Sequence, residues 1–282
     1  MRQPVKKFTT LLTGLFGLWL TAPAQTVPYR NQLELQYGIR HVARQDHLFS
    51  PMIYRGTAPL NLTLSYQRQG TASRHGGTIG FGQYNAASGS AYQYKAWRTQ
   101  EALTSEPTSF LLLDLHYFYL RRMAARDRMM DLYAGATLDN QAGALFYGYG
   151  HQAFFGYTLF TSLSPTIEAD FALSEKQRLG FRFRFPLLSW LSRSPYAVND
   201  DQFIDDQSSH RTLPMLANFY RGGELVSMNR FQRLNADIRY ERMMGRRFSM
   251  SATYRIEFMR YTRPLKVTSY RNDLLLGATY HF

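Results

Sequence analysis

The sequence contains no cysteine in its 282 residues, and long apolar runs are almost absent from it. The first absence excludes disulfide bonds and thiolate metal sites. The one sustained apolar run, residues 11–20, is about half the length that a membrane-spanning helix requires. Because no longer run follows it, any crossing of a membrane must be made by strands. A glycine-rich loop that could cradle a phosphate is also missing, so nucleotide chemistry is not expected.

Aromatic residues are plentiful in spite of a low mean hydropathy of −0.35. The chain has 20 tyrosines and 20 phenylalanines, and its formal net charge is +13. A barrel with lipid outside and polar side chains inside needs this mixture, since apolar and polar residues alternate along each strand. The positive charge favours lipid phosphates as partners over nucleic acid, because exported proteins seldom meet nucleic acid.

The N-terminal residues have the pattern of an export signal. Arg2, Lys6 and Lys7 precede the apolar run, and Ala22-Pro23-Ala24 follows it with small residues at the two critical positions. We therefore predict a cleaved signal peptide at 1–24 and a single mature domain at 25–282. No cysteine follows the apolar run, so a lipoprotein is not expected.

The last nine residues form the clearest strand of the chain. One face is apolar and ends on an aromatic residue, and it comprises Leu274, Leu276, Ala278, Tyr280 and Phe282. This ending resembles the closing strand of Gram-negative outer-membrane β-barrels. The resemblance implies an outer-membrane location and recognition of this assembly signal by the barrel-assembly machinery.

Alternation with a period of two continues through the rest of the chain and predicts about ten strands. Their predicted ranges are 31–43, 60–67, 74–85, 109–121, 131–140, a long sixth strand ending near 173, 178–185, 229–242, 247–261 and 269–282. The predicted fold is all-β, an antiparallel up-and-down transmembrane β-barrel. Eight or twelve strands remain alternatives because residues 141–163 are ambiguous, and Pro165 predicts a bulge or break in the sixth strand.

Connection lengths predict the orientation of the barrel. Long links at 44–57, 86–107 and 187–227 alternate with short turns at 122–129, 175–177 and 243–246. Outer-membrane barrels have long extracellular loops and short periplasmic turns, so both termini are expected in the periplasm. Basic residues cluster in the short turns, where we expect them to face lipid headgroups.

Charged residues occupy the inward face of many predicted strands. The lumen charge cluster comprises Glu34, Arg40, Asp114, His116, Arg182, Arg184, Asp237, Arg239, Glu241, Arg255 and Glu257, and the acids Asp131, Asp139, Glu168, Asp170 and Asp273 share their faces. The favoured interpretation is a polar core of paired ions in a narrow interior. The alternative is a narrow channel or a proton-accessible site.

Three patterns in the sequence contain residue types found in catalytic or metal sites. Asp114 and His116 share a face but have no nearby nucleophile, and Asp46-His47 with Ser50 gives only a weak indication of a hydrolase. The acidic loop containing Asp200, Asp201, Asp205, Asp206 and His210 lacks the spacing of a calcium loop. Ten strands with rim carboxylates resemble the omptin proteases in architecture alone.

The expected function is that of a monomeric structural, adhesive or surface-binding barrel that acts through its extracellular loops. A narrow pore for small solutes is the alternative, and a barrel-embedded hydrolase of lipid or peptide is a weaker one. No cofactor or metal is predicted. The expected partners are the assembly machinery and membrane lipids, either lipopolysaccharide or phospholipid headgroups.

Overall fold

The computed structural model describes residues 30–96, 98–123, 130–149, 152–194 and 212–282. The predicted signal peptide and the acidic loop with His210 lie outside these residues. Among the described residues, no helix is long and apolar enough to cross a membrane.

Fourteen strands and one helix of ten residues make up the regular structure of the described residues. The strands are β1 (Asn31–Asp46), β2 (Ser50–Gln69), β3 (Ser73–Asn85), β4 (Gln93–Lys95), β5 (Ala102–Thr104), β6 (Ser109–Arg122), β7 (Met130–Tyr149), β8 (Gln152–Ser174), β9 (Gln177–Arg184), β10 (Leu188–Arg193), β11 (Glu224–Ser227), β12 (Phe231–Met243), β13 (Phe248–Tyr261) and β14 (Val267–His281). The helix is α1 (Thr212–Arg221), and a short 3₁₀ turn spans Ala87–Gly89.

Ten of these strands close into an antiparallel barrel in the order β8-β7-β6-β3-β2-β1-β14-β13-β12-β9, with β9 returning to β8. The predicted fold and strand number are confirmed. The alternatives of eight and twelve strands are wrong because β7 and β8 pair without interruption from Met130 opposite Phe171 to Tyr149 opposite Gln152. That pairing uses the whole ambiguous region 141–163. We name the end of the barrel at Asn31 and His281 the terminal end, and the opposite end the loop end.

The prediction of a bulge or break at Pro165 is wrong for β8 itself. Pro165 lies opposite Ala136 in an unbroken ladder. The interruption falls in the neighbouring strand, since β9 pairs with β8 from Thr166 onward and β10 pairs with it up to Leu163. Proline lacks an amide hydrogen, so the gap between β9 and β10 lies where β8 has no donor to offer.

The connections at the loop end are shorter than predicted because the strands continue above the apolar part of the wall. Residues 44–57 are mostly strand, and only 47–49 form a turn between β1 and β2. The predicted link 187–227 contains β10, α1 and β11, and β10 and β11 extend the wall. The predicted link 86–107 holds the small β4–β5 hairpin.

The outer face of the barrel carries a broad belt of exposed apolar side chains. On β1 these are Leu33, Leu35, Tyr37 and Ile39, and equivalent residues occupy the other strands. Exposed apolar surface of this extent around a closed ring is suited to lipid and not to water. Helix α1 packs outside the wall at the loop end, where the ring of Phe219 stacks on that of Tyr157 at 4.1 Å.

Candidate functional site: the lumen

A row of alternating charges crosses the inner wall. Six residues lie directly opposite one another on six successive strands, in the order Arg40, Asp273, Arg255, Asp237, Arg182 and Glu168. Opposite charges on facing strands attract, so the row stabilises the register of the strands that bear it. We call these six residues the charge row.

Arg40 is the most deeply buried cation of the charge row. Its Nε and Nη2 donate to the two carboxylate oxygens of Asp273 at 3.0 and 3.1 Å, and Nη2 also lies 3.2 Å from Asp114. The side chains of Arg40 and Asp273 are both 0% exposed. A bidentate arginine–carboxylate pair of this kind fixes the geometry as well as the charge balance.

A second set of ions lies against the charge row on its loop-end side. Arg271 contacts Asp114 at 3.2 Å and Glu257 at 3.1 Å, and Glu257 is also bound by Arg233 at 2.5 Å. Arg184 joins the group by contacting Asp139 at 3.0 Å. The buried charges therefore form a network and not isolated pairs, with each carboxylate facing at least one arginine.

Asp114 and His116 both point into the lumen, but each is bound by other side chains. His116 Nδ1 lies 2.7 Å from Asp139, whose other oxygen accepts from Ser164 at 2.6 Å. Asp114 is held by the two arginines and by Gln141. Asp139 is therefore shared by His116, Ser164 and Arg184, and His116 belongs to the ion network through it.

The terminal half of the lumen contains a polar cavity of about 130 Å³. Its lining runs from Gln32 and Gln69 near the rim to Asp237 and Arg255 in the charge row. The ions here are more open, and the Arg239 side chain is 27% exposed while it contacts Glu34 at 2.5 Å. The cavity ends at the charge row, so it is a vestibule and not a channel.

The loop half of the lumen is filled mainly by apolar side chains. One buried cluster comprises Val42, Tyr54, Ala58, Tyr84, Ala86, Phe110, Leu112, Leu145 and Tyr147, and a second comprises Phe160, Leu191, Val226, Phe231, Met259, Tyr261 and Val267. We call the two clusters together the aromatic plug. Every barrel strand except β9 contributes at least one residue to the aromatic plug, and β10 and β11 contribute in place of β9. Side chains packed in this way fill the section between the strands.

The structure places every predicted residue of the lumen charge cluster on the inner wall. Five further arginines, which the strand pattern had not assigned to the lumen, also bind buried carboxylates. Arg233 and Arg271 bind members of the cluster or Asp273, Arg74 binds Glu168 and Asp170, and Arg44 and Arg193 bind Asp46. Arg233 and Arg271 lie at inward positions of the predicted strands 229–242 and 269–282, so the alternating pattern could have identified them as lumen residues. Asp46 was missed because its strand was interpreted as a loop.

The weak hydrolase pattern at the β1–β2 turn is structural. Asp46 is 0% exposed, binds Arg44 at 3.1 Å and Arg193, and accepts from the amide of Leu48 at 3.1 Å. Ser50 Oγ accepts from the amide of Met52, and His47 is exposed. The three side chains therefore do not converge on a reacting centre. Among the described residues, no group of three His, Asp or Glu side chains is placed to hold a metal ion.

No protein-family model and no curated protein matches the sequence. Among solved structures, the chain is similar to the outer membrane protease OmpT from Escherichia coli, with 9% identity, a TM-score of 0.49 and coverage of 91% of this chain and 98% of that one. It is also similar to the translocator domain of the autotransporter NalP from Neisseria meningitidis, with 10% identity, a TM-score of 0.45 and coverage of 97% and 93%. Neisserial surface protein A matches with 10% identity, a TM-score of 0.36 and coverage of 89% and 97%. These similar structures are outer-membrane β-barrels with different roles, and identity this low assigns none of those roles to the chain.

Proposed function

We propose that the chain is a non-conducting barrel of a Gram-negative outer membrane that acts as a structural and surface-binding protein through its loop end. The observation that carries the proposal is the double closure of the lumen. The charge row ends the vestibule, and the aromatic plug fills the section above it. Both barriers lie across the lumen, and they support a closed barrel over a continuous pore.

The outer face supports the membrane placement. Its exposed apolar side chains form a continuous belt, while the ions are turned inward. Closure of the sheet leaves no unpaired strand edge toward lipid, which is the condition for strands to span a bilayer. The terminal end, with its short turns, corresponds to the periplasmic side.

The loop end supports the surface-binding role. β7 continues at this end to Tyr149, where it turns into β8. The nine residues from 141 to 149 of such a tilted strand span roughly 20 Å along the barrel axis. The β4–β5 hairpin stands beside this extension with its side chains mostly exposed. The extended wall and the hairpin together offer a contact surface on this side.

Conductance in planar bilayers tests the central claim. The purified barrel should be electrically silent under conditions in which a reference porin conducts. Stable ohmic steps from the folded protein would overturn the proposal and favour the narrow pore.

A second experiment tests the loop end. Replacing residues 92–105 with a short Gly-Ser turn removes the β4–β5 hairpin but none of the ten barrel strands. Cells that display the variant should adhere to epithelial monolayers less than cells that display equal amounts of the wild type. Equal adherence of both would remove the support for a binding role of this hairpin.

A further inference from the structure

Three strands end at the terminal rim with the same outward-facing pattern, a tyrosine followed two residues later by an arginine. These are Tyr66-Gln67-Arg68 on β2, Tyr119-Leu120-Arg121 on β6 and Tyr240-Glu241-Arg242 on β12. The three tyrosines and the three arginines are all exposed. Tyrosine is favoured at the interface between the hydrocarbon core of the membrane and the headgroups. An arginine two residues further along the strand can reach the phosphates of the headgroups.

Two of these strands enclose a groove. β3 lies between β2 and β6, so the two Tyr-x-Arg edges are about 10 Å apart. On β3, Gly77 is opposite Tyr66 on one side and Tyr117 on the other. A Cβ added at Gly77 would meet only the carbonyl oxygen of His116, at 3.6 Å. Because Gly77 has no side chain, a groove remains open on the lipid-facing surface between Tyr66 and Tyr117.

The head of the groove carries positive charge that none of the residues described by the structure neutralises. His75 lies at its mouth, opposite Arg68 and Tyr119. Neither Arg68 nor Arg121 has an ion-pair partner in the part of the chain that the structure describes, whereas the adjacent Arg122 pairs with Asp131 at 3.4 Å. Two unpaired guanidinium groups beside an apolar groove are complementary to a phosphate that is attached to an acyl chain.

We propose that this groove is a specific site for one anionic glycerophospholipid of the periplasmic leaflet. The acyl chain lies over Gly77 between Tyr66 and Tyr117, and the phosphate lies between Arg68 and Arg121. The site rests on the membrane placement proposed above, but it does not depend on the binding role of the loop end.

The third Tyr-x-Arg edge provides a matched control. Arg242 also follows a tyrosine by two residues and, like Arg68 and Arg121, is the penultimate residue of its strand. The residues opposite Tyr240 are Ala252 and Leu179, so no glycine opens a groove beside it. General attraction of lipid to rim cations would involve Arg242 as much as Arg68 and Arg121.

Titration of phosphatidylglycerol into the detergent-solubilised barrel, followed by native mass spectrometry, tests the site. The double variant Arg68→Gln, Arg121→Gln should weaken the tightest binding event roughly 25-fold, as expected for the loss of two cations near a membrane surface. Gly77→Leu should weaken it while both arginines remain. Arg242→Gln should leave it unchanged.

Several outcomes would overturn the proposal. These are an equal effect of Arg242→Gln, no effect of Gly77→Leu, or tighter binding of lipid A than of phosphatidylglycerol at the same residues. Each variant is first checked for the folded band on semi-native gels, and Gly77→Ala replaces Gly77→Leu if the larger residue prevents folding. If lipid binding fails this test while the barrel stays silent in bilayers, only the lipid site is refuted.

Discussion

Replacing Arg40 with methionine removes the most deeply buried cation of the charge row with little change in volume. Asp273 then loses two hydrogen bonds of 3.0 and 3.1 Å, and Asp114 loses one of 3.2 Å. Both carboxylates are almost fully buried. Removing one partner of a buried pair costs about 3–5 kcal/mol, because the carboxylates lose a cation in a poorly solvated site. Arg271 still lies 3.2 Å from Asp114 and 3.8 Å from Asp273, so we expect the lower part of this range. The unfolding equilibrium should therefore shift toward the lower end of roughly two to three and a half powers of ten.

Urea unfolding of the barrel in lipid vesicles, followed by tryptophan fluorescence and gel mobility, measures this change. Arg98→Met in the exposed loop is the control and should stay within about 0.5 kcal/mol of the wild type. Arg239→Met should have an intermediate effect, since Arg239 is 27% exposed in the vestibule and water compensates Glu34 in part.

A double variant separates the ion pair from general damage to the lumen. If Arg40 acts through Asp273, then adding Asp273→Asn to Arg40→Met should restore part of the lost stability, with a coupling energy of about 0.5–3 kcal/mol. The reasoning is refuted if Arg40→Met is no more destabilising than Arg98→Met. It is also refuted if the two lumen substitutions are simply additive.

Two further predictions follow from the glycines and from the orientation of the barrel. A Cβ at Gly82 would lie 2.8 Å from Arg40 Nη1, so Gly82→Ala should destabilise the barrel by about 1–3 kcal/mol. Gly245→Ala in an open turn should cost less than 1 kcal/mol by the same urea assay. Protease added to intact cells should cleave within 92–105 but not within 243–247, and the opposite pattern would show that the orientation is reversed.

The assembly signal proposed for the last strand remains a prediction. Replacing Tyr280 and Phe282 with serine removes two of its aromatic side chains, whose rings stack at 5.7 Å in the folded barrel. We expect export to continue and the heat-modifiable folded band to disappear. A folded band of normal intensity would show that assembly does not require these aromatic residues.

The sequence predicted the faces of the strands well because lipid outside and ions inside impose a strict alternation. Leu35 and Gln36 on β1, or Leu115 and His116 on β6, could be assigned to the two sides directly. The partners of the ions could not be assigned in this way. The stagger between neighbouring strands of the closed sheet decides which residues lie at the same height in the barrel. Alternation within one strand does not reveal this stagger.

The strand ends above the apolar belt were the main failure of prediction. There the outer face meets water, so it is no longer required to be apolar, and the period-two signal is lost. Residues 50–57 of β2 were interpreted as a loop for this reason, and the buried Asp46 at the end of β1 was lost with them. The break beside Pro165 was assigned to the wrong strand, because a missing donor shows where a ladder is interrupted but not on which side.

The gap between β9 and β10 separates the closed ring of ten strands from the segment that extends the wall at the loop end. Residues 177–184 of β9 pair with both β8 and β12, so the ring is already closed below the gap. The chain from 185 to 230 leaves this closed ring and returns to it at β12. It is therefore an insertion in the architectural sense, because β9 closes the ring without it. Leu191 of β10 and Val226 of β11 nevertheless pack into the aromatic plug, so the described part of the insertion also helps to close the lumen.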